Sequence, residues 1–239
     1  MKVVVIIPAA GLGTRMAAIG GKPHTSKQFA DLAGVPILIH TLRKFAASPE
    51  VAEIYLALRQ PESTAFQQRL AAEKLNKPIH IVEGGEHRQE SVANALAAVE
   101  AAPDDIVLVH DAVRPFVTHE IIASVIEAAR KHGAAIAGVP AVDTIKKVER
   151  TAEGAVITST VPREQVVLAQ TPQGFLLSVL RKAFAEATAD GFTGTDEASL
   201  VERSGHDVAV VMGSHRNLKI TTPADMELAE FYISLEKKI

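Results

Sequence analysis

Cysteine is absent from all 239 residues. That removes disulfides, thiolate zinc sites and cysteine nucleophiles together, and it fits a reducing compartment, with the cytoplasm as the expected location. An excess of one charge is missing too: 25 Lys and Arg against 28 Asp and Glu leave a net charge of -3. Such a chain has no basic field for wrapping nucleic acid, so a nucleotide partner would be a small molecule held at a local site. No apolar run is long enough to span a bilayer, and the opening MKVVVIIPAAG, interrupted by Pro8, reads as a buried strand rather than a leader. Signatures built on histidine or serine are also lacking. His87, His110, His119 and His215 are scattered, with no HExxH spacing and no GxSxG elbow, so they read as surface or polar-network residues. Neither repeats nor low-complexity linkers occur.

What remains is a chain of 47% hydrophobic residues, long enough for one domain with a large core over residues 1–239. Apolar runs at 3–7, 51–58, 79–82, 106–110, 134–139 and 208–212 alternate with helical spacing at 36–47 and 88–101. That alternation predicts βαβ units and an α/β fold, a Rossmann-like three-layer sandwich around a mostly parallel sheet. Thr118 is placed to cap the helix HEIIASVIEAARKH and Gly133 to stop it, while Thr222, Pro223 and Asp225 open a last helix. One stretch breaks the alternation. Residues 143–162, DTIKKVERTAEGAVITSTVP, read as two extended runs around Glu153 and Gly154, with too few apolar residues to bury themselves in this core. They form either an ordinary surface hairpin or a projecting arm, at about residues 141–165, that packs on a second copy of the chain.

The first strand runs into PAAGLGTRM, a Gly-rich segment ending beside a cation. The dinucleotide fingerprint requires a third glycine, but Met16 stands there after Gly11 and Gly13, and Asp31 sits in DLAGVP, which looks like a turn. The P-loop requires Lys followed by Ser or Thr, and neither Gly11 nor Gly21-Lys22-Pro23 supplies it. Two readings stay open: a nest of backbone N–H groups with Arg15 and Lys27 neutralising a triphosphate, or a tight βα turn whose cations are solvated.

PAAGLGTRM with the downstream SKQF resembles the loop of the sugar-nucleotide pyrophosphorylase and cytidylyltransferase superfamily. EGGEHRQESV, VHDAVRPF, VDTIKKV and NLKITTP, extended by TPQGF and GTDEASLVE, are similar in order and spacing to the 2-C-methyl-D-erythritol 4-phosphate cytidylyltransferase family of the non-mevalonate isoprenoid pathway. The resemblance covers essentially the whole chain. It implies that the acceptor's phosphate oxygen attacks the α-phosphorus of the co-substrate CTP and that pyrophosphate leaves. It further implies that Arg15, Lys27, Lys219 and Arg163 are catalytic, and that Pro8, Ala9, Ala10, Gly11, Leu12 and Gly13, with Gly84, Gly85, Glu86 and Ser91, hold the nucleotide. Asp111, Ala112, Arg114, Thr144, Arg163, Thr171, Thr195 and Lys219 would hold the acceptor, and Asp111 a Mg2+ or other divalent cation. Thr144 and Arg163 would reach from the arm into the other subunit of a homodimer.

Each residue also has a plainer role: Asp111 as a turn cap, the glycines at 84 and 85 as a strand-to-helix turn, Thr195 as an N-cap, Lys219 as a solvated cation. Two departures from the family pattern stand out. Ten residues, 17–26, separate Met16 from Lys27, with Ser26 where Pro often precedes the Lys, which implies a flexible loop that closes over CTP. Pro162 stands where an acidic residue is expected before Arg163. Rival readings are a ribitol 5-phosphate cytidylyltransferase, which shares HDAVRPF and a DTI arm, and an NAD(P)-dependent oxidoreductase using the first loop. A non-catalytic nucleotide-binding module is a third.

Overall fold

The computed structural model describes residues 1–11 and 26–236, so Leu12, Gly13, Arg15 and the expected closing loop lie outside the described residues. Along the chain come β1 (Val3–Pro8), the two-residue strands β2 (Asp31–Leu32) and β3 (Val35–Pro36), α1 (Ile37–Ala47), β4 (Glu53–Leu58) and α2 (Gln60–Ala72). They are followed by β5 (Ile79–Glu83), α3 (Arg88–Ala98), β6 (Ile106–Val109), α4 (His119–His132) and β7 (Ala134–Pro140). The last part holds β8 (Ile145–Thr151), β9 (Gly154–Val161), β10 (Val167–Leu176), α5 (Leu177–Ala189), α6 (Glu197–Arg203), β11 (Ala209–Met212) and α7 (Pro223–Glu236).

The unbroken run in β1 is explained by burial on both faces. Val3, Val5 and Ile7 pack with Leu42 and Phe45 of α1 and Val125 of α4, while Val4 and Ile6 pack with Val92 and Leu96 of α3 and Leu180 and Phe184 of α5. Helices therefore cover both sides of one sheet, the three-layer α/β arrangement that the alternation predicts. Its strand order among the described residues is β11-β7-β10-β6-β1-β4-β5. β1 pairs in parallel with both β4 and β6, and β10 runs antiparallel between β6 and β7. From β1 the chain builds outward through β4 and β5, then returns to place β6 on the other side. That reversal opens a crevice at the carboxyl ends of β1 and β6, the usual place for a ligand in such sheets.

Caps form where the residue types demand them. Thr118 accepts a hydrogen bond from Ile121 N, and Gly133, at φ 83°, takes the left-handed conformation that ends α4. At α7, Thr222 N donates to Asp225 Oδ2 at 2.8 Å and Asp225 N donates back to Thr222 Oγ1 at 3.2 Å. The helix expected to reach residue 101 stops at Ala98, because Asp105 folds the following turn by accepting from Ala102 N at 2.8 Å and Lys2 N at 2.6 Å. Asp31 is itself the first residue of the short strand β2, paired with Pro36, and the turn that follows is made by Ala33 and Gly34, both at positive φ.

The 143–162 stretch is a hairpin. β8 and β9 pair from Ile145 with Val161 to Thr151 with Gly154, as a sheet separate from the main one. Its strands are almost wholly exposed, Val148, Val156 and Ile157 included. No helix among the described residues is long and apolar enough to cross a membrane.

Candidate active site

The crevice between β1 and β6 brings together part of the set that the sequence singles out. Pro8, Ala9, Ala10 and Gly11 leave the end of β1 and line a cavity of about 270 Å3 together with Lys27, Ser91, Asp111, Ala112 and Lys219. Buried Gln28, on the same short turn as Lys27, donates through Nε2 to Ala9 O at 2.6 Å and Gly11 O at 3.3 Å. One side chain thereby pins the Gly-rich loop at its start and sets Lys27 beside it. Gln28 stands in the quoted SKQF, but nothing local in the sequence shows that it folds back onto Ala9.

The start of α3 adds Arg88 and Ser91 to the cavity lining, and the loop after β5 packs behind them. Gly84 N donates to Leu58 O at 2.7 Å, and a Cβ on Gly84 would collide with the Cβ of Ala10, so only glycine permits this approach of the two loops. Buried Ser91 accepts from Gly85 N at 3.1 Å and donates to His87 O at 3.0 Å, and Glu86 N donates to Glu90 Oε2 at 2.8 Å. Gly84, Gly85, Glu86 and Ser91 thus form one tight turn against the first loop, with Ser91 facing the cavity.

Asp111 stands at the centre. Its Oδ1 accepts from Arg88 Nε at 3.2 Å, and its Oδ2 meets Lys219 Nζ at 2.9 Å and Arg114 Nε at 3.3 Å. Burial alone would raise its carboxyl, but Arg88, Lys219 and Arg114 outweigh burial and hold it well below the ordinary carboxylate range. The Asp111 side chain is therefore a fixed anion inside a ring of cations, not a turn cap. Arg114 is itself anchored, donating to Asn217 O at 2.6 Å, and Ile220 N donates to Val113 O at 2.9 Å. These bonds dock the segment carrying Lys219 onto the turn after β6, so Lys219 is a partner of Asp111 rather than a solvated cation.

A second cavity of about 190 Å3 adjoins the first, lined by Arg114, Thr171, Gln173, Thr195 and Asp196, and sharing Arg88, Asp111 and Lys219 with it. The N-cap of α6 is Asp196, which accepts from Ser199 N, so Thr195 stands outside the helix and lines this cavity. Thr171 joins the site through fully buried His110. Asp111 N donates to Thr171 Oγ1 at 3.1 Å, which faces His110 Nδ1 at 3.1 Å, while His110 Nε2 lies 3.1 Å from Arg114 O. A carbonyl only accepts, so Nε2 carries the proton and Nδ1 accepts from the threonine hydroxyl. Burial accordingly pushes the imidazole down to about 4, and it is neutral. His110 is a polar-network residue, as the scattered histidines predict.

The sequence assigns no role to Arg88 or Glu197. Arg88 donates from its two terminal nitrogens to Glu197 at 2.7 and 2.9 Å, and Glu197 is 1% exposed. Burial opposes the guanidinium's charge, but Glu197 and Asp111 more than compensate and keep it cationic; burial also raises the Glu197 carboxyl, and the two-pronged bond from Arg88 is what holds its charge there. Thr144 and Arg163 lie apart from this cluster. Both are exposed at the base of the arm, where Arg163 donates to Val142 O at 3.0 Å, and neither lines these two cavities of its own chain. Among the described residues no group of three or more His, Asp or Glu is placed to hold a metal, leaving Asp111 as a single carboxylate at the cavity.

Residues 3–235 match the family model IspD, 2-C-methyl-D-erythritol 4-phosphate cytidylyltransferase. A protein of that name from Acidobacterium capsulatum is 60% identical over 233 residues, covering 98% of both chains. Among solved structures, the 2-C-methyl-D-erythritol 4-phosphate cytidylyltransferase of Thermus thermophilus superposes with a TM-score of 0.75 at 37% identity, over 98% of this chain and 100% of that one. The 4-diphosphocytidyl-2C-methyl-D-erythritol synthase of Anaerococcus prevotii gives 0.82 at 29% identity, over 98% of each.

Proposed function

The chain belongs to the 2-C-methyl-D-erythritol 4-phosphate cytidylyltransferase family, and from that premise we propose that its two adjoining cavities are the nucleotide and acceptor halves of one active site. The enzyme is a nucleotidyltransferase. It transfers CMP from CTP to 2-C-methyl-D-erythritol 4-phosphate, giving 4-diphosphocytidyl-2-C-methyl-D-erythritol and pyrophosphate. The observation that carries the assignment of the site is the shared wall: Arg88, Asp111 and Lys219 border both cavities, where an acceptor phosphate must meet an α-phosphorus.

In this site the anionic acceptor phosphate needs no general base. It bonds to the α-phosphorus as the bond to the leaving pyrophosphate breaks, so the protein's task is positioning and charge stabilisation. Lys219, tethered to Asp111 at 2.9 Å, holds the acceptor phosphate, and Lys27 and Arg15 stabilise the crowded negative charge around the α-phosphoryl group. Each such donor is worth about 3 kcal/mol in the transition state. Gly84 lets the loop after β5 approach Ala10 closely, and with Gly85, Glu86 and Ser91 it is the segment that the family resemblance assigns to the cytosine base. Arg114, Thr171 and Thr195 line the acceptor half.

The donor set at Asp111 fits a hard cation carried by the triphosphate. Asp111 lines the nucleotide cavity, and its Oδ1, which accepts from Arg88 Nε at 3.2 Å, would be the protein's ligand to a Mg2+, whose bound charge would offset that of the leaving pyrophosphate. The arm supports a homodimer. Its exposed Val148, Val156 and Ile157 suit packing against a second copy, which would bring Thr144 and Arg163 to that copy's acceptor cavity.

Pyrophosphate release from CTP and Mg2+ tests the assignment, with methylerythritol phosphate and ribitol 5-phosphate supplied in parallel and Lys27→Ala as control. Release with the methylerythritol acceptor alone, lost in the control, is expected. Release with ribitol phosphate instead would overturn the acceptor, and undiminished release in the control would overturn the role of Lys27.

A further inference from the structure

We propose that Glu197 is a positioning residue of this transferase, acting through Arg88 to keep Asp111 available to Lys219 and Arg114. The inference rests on the placement of cytidyl transfer in the two adjoining cavities. Arg88 is the first residue of α3 and Glu197 the first of α6, so the pair joins the segment that follows the nucleotide-side glycines to the segment that lines the acceptor side.

The geometry is one of allocation. A guanidinium offers five N–H donors in a planar fork, and facing a lone carboxylate it closes on both oxygens. Arg88 does not do so at Asp111. Both of its terminal nitrogens point at Glu197, at 2.7 and 2.9 Å, and only Nε reaches Asp111 Oδ1, at 3.2 Å. Asp111 Oδ2 is thereby left to Lys219 at 2.9 Å and Arg114 at 3.3 Å. Without the Glu197 carboxylate, the Arg88 fork can turn onto Asp111 and compete for Oδ2. Lys219 would then lose the anchor that sets its ammonium group at the junction of the cavities.

Charge points the same way. Three cations, Arg88, Arg114 and Lys219, surround two carboxylates, Asp111 and Glu197, a modest positive surplus that suits an incoming phosphate. Removing Glu197's charge enlarges that surplus while scrambling its geometry. Binding of an anionic nucleotide is therefore preserved or tightened while transfer to the acceptor fails.

A purely structural role would give a different pattern, and the molecule supplies a comparator. Gln89 also ties α3 to the segment before α6, donating to Phe192 O at 3.1 Å and accepting from Gly194 N at 2.8 Å, without touching Asp111. The test compares full-length Glu197→Gln, Glu197→Asp and Gln89→Ala with wild type, measuring thermal midpoint, CTP dissociation constant, and kcat and KM for methylerythritol phosphate. In Glu197→Gln, kcat/KM for the acceptor is expected to fall by at least about 30-fold while the CTP dissociation constant rises by no more than about threefold. Glu197→Asp, which keeps the charge, is expected to recover part of the loss, and Gln89→Ala to lower the midpoint with acceptor kinetics near wild type. Should Glu197→Gln not fold, Arg88→Lys, which loses the fork but keeps the cation, is expected to show the same split. Kinetics within about twofold of wild type in a folded Glu197→Gln, or a loss matched by Gln89→Ala, would overturn the proposal. An Asp111→Asn control separates the two levels: if it also retains activity, the assignment of the site itself fails.

Discussion

Acid should unfold this protein partly through one histidine. His110 is fully buried beside Phe45, with Nε2–H directed at Arg114 O and Nδ1 accepting from Thr171. A second proton on the ring would face the Thr171 oxygen, which already accepts from Asp111 N. Burial holds the native ring at about 4, whereas an unfolded histidine titrates near its ordinary 6.5. The native value is depressed, so the stability involved is fully present above pH 6.5, where neither state binds the proton. It is lost as pH falls and the unfolded chain alone becomes charged, and the loss levels off below about 4, where the native ring protonates too. The separation of the two values corresponds to about 3 kcal/mol in all, of which about 2 kcal/mol is lost by about pH 5. For a chain of this size that corresponds to roughly 4–8 °C in thermal midpoint. Urea unfolding of wild type and His110→Asn between about pH 7.5 and about pH 5, without nucleotide or metal, measures it. Subtracting the two profiles cancels the groups they share, and the wild type is expected to lose about 2 kcal/mol more than the variant. Parallel profiles would refute a neutral buried His110.

Gly84→Ala should force the Gly-rich loop and the loop after β5 apart, costing about 1–3 kcal/mol and weakening CTP binding, because the new Cβ meets that of Ala10. A variant with wild-type midpoint and CTP affinity would count against the close approach. Gln28→Ala removes two donors from the carbonyls of Ala9 and Gly11, and kcat/KM for CTP is expected to drop by about tenfold or more in steady-state assays. Mixing inactive Arg163→Ala with inactive Lys219→Ala should regenerate roughly a quarter of wild-type activity if Arg163 acts across a dimer, since half the dimers are mixed and each has one intact site. No recovery would place Arg163's action within its own chain.

Much of the scaffold is readable locally. The unbroken apolar run of β1 announces a strand buried on both faces, and Thr118, Gly133, Thr222 and Asp225 mark helix ends where they occur, because a cap is a contact between residues a few positions apart. The strand β10 is less legible. Its centre, Gln170 to Gly174, carries two glutamines and Pro172, and its register shifts between Ala169 and Gln173, so no period of two survives. α2 escapes a reading of periodicity for a related reason: only Phe66 is buried, and its surface leaves no apolar stripe.

The candidate site divides along the same line. Asp111 is marked by its place after an apolar strand, whereas Gly84, Thr195 and Lys219 are singled out by the family resemblance; the fold sets Asp111, Thr195 and Lys219 at the adjoining cavities and Gly84 against Ala10. The sequence by itself determined the layered α/β scaffold and its capped helices, since these follow from periodicity and near-neighbour hydrogen bonds. Tertiary structure alone decided that Arg88 would grip Glu197, 109 residues away, and offer Asp111 a single bond. Such pairings carry no periodic signal. They exist because the chain reverses at β1, setting β6 and the start of α6 beside the start of α3, and because charges buried there must find partners.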